Sequence, residues 1–103
     1  MSFNKIKQIL KSSQIKLDSL IQEISDTDHF ELARLLHQLP VKDKLLIFNN
    51  LDSILKQQEL LYETDLDSRL EIKSSLNPEY LAMLLGNMPQ DEAKDLLQEH
   101  NRF

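Results

Sequence analysis

The chain has 103 residues, a formal net charge of −5, 41% apolar and 28% charged residues, one glycine, three prolines and no cysteine. It is long enough for one domain that buries about 60–65% of its unfolded surface. It is too apolar for a disordered chain and too poor in turn residues for a many-stranded sandwich, and it has no means to build disulfides, thiolate metal sites or a cysteine nucleophile.

The longest apolar run covers residues 80–85, six residues, where a membrane span needs about 20. The N-terminus lacks an apolar core of signal-peptide length. The acidic balance disfavours duplex nucleic acid, whose affinity comes from lysine and arginine. The expectation is therefore a soluble helical domain of a reducing compartment.

In chain order, Ser12 and Ser13 separate a helix near 3–11 from one near 13–24, and the run Ser25, Asp26, Thr27, Asp28 caps a third. Beyond it, Pro40, Asp52, Asp65, Asn77 and Pro89 stand 12, 13, 12 and 12 residues apart. Apolar residues recur at helical spacing between these points. Leu32, Leu35, Leu36 and Leu39 form one stripe, and Leu45, Phe48 and Leu51 the next. Ile54, Leu55 and Leu61 follow, then Leu66, Leu70, Ile72 and Leu76. Leu81, Leu84, Leu85 and Met88 precede a last stripe of Ala93, Leu96 and Leu97.

The boundary residues have a physical reason to be there. Asn77 can cap free amides, Pro78 suits the first helical position, and Glu79 favours the positive end of the dipole. Asp52 and Asp65 can cap in the same way. Pro40 and Pro89 lack the amide that would continue a preceding helix. Residues 32–40 overlay residues 81–89 at an offset of 49, with five of nine positions identical. Such an offset spans four short helices, so the unit is a helix pair, and pairs that cannot bury their faces alone stack into a superhelix. The fold expected is all-α, with about eight short helices.

Little catalytic chemistry is available. His29, His37 and His100 form no zinc motif and read as ordinary surface or half-buried side chains. Gly86 alone cannot make a phosphate loop, and the serines lack a nucleophile-elbow context. The chain is therefore not expected to be an enzyme. Charge is unevenly spread: residues 1–25 carry +2 and the remainder −7. Glu59, Glu63, Asp65, Asp67 and Glu71 oppose only Arg69 in sequence, and Asp91, Glu92, Asp95 and Glu99 oppose only Lys94. One reading of these clusters is a solvated helix face. The other starts from Asp91 and Asp95, which lie together at i and i+4 on the side opposite Ala93, Leu96 and Leu97. Their mutual repulsion costs a few tenths of a kcal/mol. A hard divalent cation such as Mg²⁺, which uses one or two carboxylates and keeps several waters, would relieve it.

The motifs in residues 31–40, 76–89 and 90–98, with the length and spacing of the repeat, resemble the cytosolic N-terminal domain of MgtE magnesium transporters over about residues 5–99. The resemblance implies a right-handed superhelix over a single domain at 1–103. It implies a regulatory domain on the cytoplasmic side of the membrane, followed in the transporter by CBS domains and a pore, with the full-length protein a homodimer. There, Mg²⁺ held between the acidic N-terminal domain and the CBS domains of the same or a neighbouring subunit favours the closed channel. The matching positions are Asp91, Asp95 and Glu59, with Glu92 and Glu63 as auxiliaries. Mg²⁺ would bind weakly and would not be needed for folding. No CBS or membrane segment is present, and the end at Arg102 and Phe103 favours a fragment of a longer chain. The alternative is an ion-independent adaptor of the type of superhelix found in the flagellar rotor protein FliG. It would expose an apolar patch built from side chains such as Phe48, Tyr62 or Tyr80.

Overall fold

The computed structural model describes residues 2–98, with side chains over 4–97. Glu99, His100 and Phe103 lie outside the described residues. Eight helices and no strand occupy the described span: α1 (Ser2–Lys11), α2 (Leu17–Ser25), α3 (His29–His37), α4 (Val41–Asn49), α5 (Ile54–Glu63), α6 (Leu66–Ser75), α7 (Pro78–Gly86) and α8 (Gln90–Gln98). Each helix is nine or ten residues long. Helix α1 packs on α2 and α3, α3 on α5 and α6, α4 on α6, α5 on α6 and α7, and α7 on α8. Helices therefore meet their second neighbours along the chain, an arrangement compatible with stacked helix pairs. The principal extents are 38 × 25 × 23 Å.

The N-terminal ends are set by local contacts. Asp28 accepts from the Glu31 amide, Asp65 from that of Ser68 and Asn77 from that of Glu79, each filling one of the four donors a helix start leaves unpaired. Asp52 does not cap α5. Ser53 stands immediately before the first helical residue and accepts from the Lys56 amide at 3.1 Å, while the Asp52 carboxylate reaches the Lys56 ammonium at 3.0 Å. Helix α2 starts at Leu17, four residues later than the spacing predicts. The Ser12 hydroxyl bonds the Gln14 carbonyl at 3.0 Å, offering the backbone a turn that competes with helix.

The core is apolar but thin, with Phe48, Leu20, Leu35, Leu36, Ile47, Leu60, Leu61, Ile72 and Leu84 wholly buried. The two halves of the repeat differ in position within the stack. Ala33 is buried because α3 has α1, α5 and α6 around it, whereas the matching Ala82 of α7 is exposed. Two apolar stripes are less buried than their spacing implies. Leu55 is 63% exposed and Leu97 51% exposed, so α8, at the edge of the fold, buries mainly Leu96. In α6 the buried positions are Ser68, Ile72 and Lys73, while Leu66 is exposed.

Buried polar side chains close the other ends of the helices. Gln57 donates to the Phe48 carbonyl at 3.1 Å and accepts from the Tyr80 hydroxyl, tying α4, α5 and α7 together. Gln58 donates to the Leu84 carbonyl at 2.9 Å. The Arg69 guanidinium reaches the carbonyls of Leu61, Tyr62 and Thr64 at 2.7, 2.6 and 2.9 Å. Lys73, only 2% exposed, donates to the Leu96 carbonyl at 2.6 Å. Lys44, also buried, pairs with Glu71 at 2.5 Å, so that member of the acidic cluster has a cation brought from α4.

Two consequences are measurable. Lys73→Met keeps the buried stem but leaves the Leu96 carbonyl without its ammonium donor, and should cost about 1–3 kcal/mol in urea unfolding; an unchanged midpoint would show that another donor serves that carbonyl. Asp65 sets the second. Partial burial opposes its ionisation, but the Ser68 amide, then His37, favour the carboxylate and hold its pKa below the usual carboxylate value. The amide meets it at 3.1 Å and the His37 ring at 3.5 Å. A lowered folded-state pKa gives stability that is present above the unfolded value and lost as pH falls through the folded one. Asp65→Ala should therefore be about 1 kcal/mol less stable than the parent at neutral pH. The gap should narrow on acidification below the unfolded-state value of 3.8. A gap that stays constant to the acid limit would mean that the charge contributes nothing.

Candidate acidic cation site

Helix α5 turns Leu60 and Leu61 into the core, which leaves Glu59, Tyr62 and Glu63 on the outer side at i, i+3 and i+4. Helix α8 buries Leu96, and Glu92 and Asp95 share a neighbouring row at i and i+3. The bond from Gln58 to the end of α7 ties α5 to the segment that leads into α8. Between them lies a cleft of about 290 Å³ lined by Glu59, Tyr62, Glu63, Glu92 and His29, with buried Met88 beneath and exposed Leu55 at the rim.

The five carboxylates read from the sequence are placed differently. Glu59 is half-buried, and its Oε2 lies 3.0 Å from His29 Nδ1. Glu63 and Glu92 line the same cleft. Asp95 is exposed, with its Oδ2 3.5 Å from the Tyr62 hydroxyl, longer than the usual O–H···O bond of about 2.5–3.0 Å, and like Asp91 it is not among the cleft's lining residues. Asp91 is exposed in the first turn of α8 and is not among the cleft's lining residues. Three of the five, Glu59, Glu63 and Glu92, thus line one cleft from two helices, and two of these are the residues read as auxiliaries; Asp91 and Asp95 lie outside its lining.

Two residues of this site escaped the sequence. His29 reads as an ordinary side chain but stands opposite Glu59. Tyr62 reads as a candidate apolar contact, yet its hydroxyl lies in the field of three acids. Loss of water around it raises its pKa first, and the charges of Asp95, Glu92 and Glu63 raise it further. The i, i+3, i+4 spacing of Glu59, Tyr62 and Glu63 was the available signal.

The acids of the cleft offer carboxylate oxygens, the ligand type that a hard divalent cation such as Mg²⁺ takes. No lysine or arginine lines the cleft. Among the described residues no group of three or more histidine, aspartate or glutamate side chains is close enough to hold a metal by itself. A larger groove of about 760 Å³ beside α3 gathers Phe30, Arg34, His37, Glu63 and Asp65. It mixes both signs of charge and holds only one of the expected acids.

The patch required by the adaptor reading does not form from the residues it named. Phe48 is wholly buried, and Tyr62 and Tyr80 are half-buried with their hydroxyls directed at Asp95 and Gln57. Among the described residues no helix is long and apolar enough to cross a membrane.

No curated protein and no solved structure matches the chain. A family model described as the MgtE intracellular N domain matches residues 27–102, which takes in α3 to α8 and every carboxylate of the cleft. With that match over most of its length, the chain belongs to the MgtE intracellular N domain family, a regulatory cytosolic domain of magnesium transporters.

Proposed function

We propose that this domain senses intracellular Mg²⁺ for its transporter through the acidic face shared by α5 and α8, and that this face packs against CBS domains when the ion is bound. The observation that carries the reading is that Glu59 and Glu63 of α5 and Glu92 of α8 line one cleft that no lysine or arginine lines. Like charges gathered in this way resist the approach of a second acidic surface, and a divalent cation between the surfaces removes that resistance. The ion thereby favours the packed arrangement and, in the transporter, the closed channel. Asp91, exposed on α8 one turn before Asp95, is available to a facing domain rather than to the cleft. A site with so few ligands from one side binds weakly by itself, and the partner surface and waters complete it.

An amide NMR titration of the chain with MgCl₂ at constant ionic strength tests this. Saturable shifts should be confined to residues around 59–63 and 91–95, and Asp91→Asn with Asp95→Asn should weaken them. Absent or uniform shifts up to about 20 mM, well above the dissociation constants of weak oxygen-ligand sites, would return these carboxylates to an ordinary solvated face.

A further inference from the structure

We propose that the groove beside α3 is a contact between two copies of this chain, related by a two-fold axis that sets Arg34 of each copy against Glu63 of the other. The groove, about 760 Å³, is lined on one side by the exposed row Phe30, Arg34 and His37 of α3, and on the other by Glu63 and Asp65 where α5 meets α6. Its charges are settled at one end only. His37 meets Asp65 across it at 3.5 Å. Arg34 and Glu63 are both exposed, and neither has a side-chain partner among the described residues. A surface with an unpaired cation on one wall and an unpaired acid on the other is self-complementary. Rotation about an axis running along the groove between them exchanges the two, and both ion pairs form at once. The same rotation lays the α3 wall of each copy into the groove of the other. Phe30 stands on that wall, 55% exposed, its ring centroid 4.2 Å from that of His29, and buried Ala33 adds an apolar surface beside it. Exposed aromatic and arginine side chains are the types that interfaces gather. A partner of one charge sign would satisfy one wall and meet repulsion from the other, which favours a second copy as the occupant. The net charge of −5 on each copy opposes their approach, so the dimer is weak and depends on concentration.

The test is sedimentation equilibrium of the full chain in EDTA, so that its outcome does not depend on the cation-binding reading. The parent chain should pass from monomer to dimer as its concentration rises towards about 1 mM, the range of weak contacts. Arg34→Glu should raise the dimer dissociation constant about tenfold or more, because the two-fold axis repeats each like-charge contact. Glu63→Arg should do the same. The double variant Arg34→Glu with Glu63→Arg restores opposite charges across the axis and should recover most of the loss. Phe30→Ser should weaken the dimer without changing the charges. All three side chains are exposed, so the thermal midpoint of each variant at low concentration should stay near that of the parent. A chain that remains monomeric at every concentration overturns the proposal and leaves the groove to a different partner. A dimer that survives Arg34→Glu, or one that the double variant fails to restore, places the contact elsewhere on the molecule.

Discussion

A helix of nine or ten residues leaves four amides and four carbonyls without an intrahelical partner, close to half of its backbone groups. Eight such helices in one small fold make helix ends, rather than helix middles, the dominant structural problem. The starts are met by Asp28, Ser53, Asp65 and Asn77, each reaching two or three residues ahead. Several ends are met in part by residues four positions downstream, such as Thr27, Asn50 and Asn87. Others depend on long side chains brought from elsewhere: Gln57 to α4, Gln58 to α7, Arg69 to α5 and Lys73 to α8. A polar group buried without a partner costs on the order of 1–3 kcal/mol, so these contacts fix how the helices stand against one another. The apolar core then fills the space they define.

The acidic site follows from that arrangement. Helix α5 is anchored at both Gln57 and Gln58, which point inward and leave Glu59, Tyr62 and Glu63 on the outer surface. Helix α8 is held at its end by Lys73 of α6. The two acidic rows meet because both helices are tied by uncharged carbonyls and buried polar groups, not because the acids attract. This explains why a cluster of like charges coexists with an ordered fold: the anchoring bonds, one of them made by Gln58 in the cleft's own wall, offset its repulsion.

The sequence carried much of this reading, and the places where it went astray are instructive. Helix number, most boundaries and the repeat between α3 and α7 follow from contacts a few residues long, which a one-dimensional pattern records. Asp52 was misread as a cap because aspartate and serine stand side by side and only the exact start of α5 chooses between them. Arg69 entered the sequence reading only as the one positive charge among those acids; that its guanidinium reaches the backbone at the end of α5 had no signal in the charge pattern. Lys44 was not linked to Glu71, since 27 positions separate them. The stripe in α6 was drawn through Leu66, while the fold buries Ser68 and Lys73.

By itself the sequence determined that the chain is helical, that it repeats in pairs, that its second half is acidic, and that its motifs are those of the MgtE intracellular N domain. These properties depend on composition, periodicity and caps, all of them local. Only the tertiary structure decided that Glu59, Glu63 and Glu92 share one cleft with His29 and Tyr62, and that Asp91 and Asp95 stand outside its lining. Those outcomes depend on how short helices are tied across distances of 20 or more residues by Gln58 and Lys73. Such bonds join groups that have no fixed spacing along the chain, and they leave no period in it.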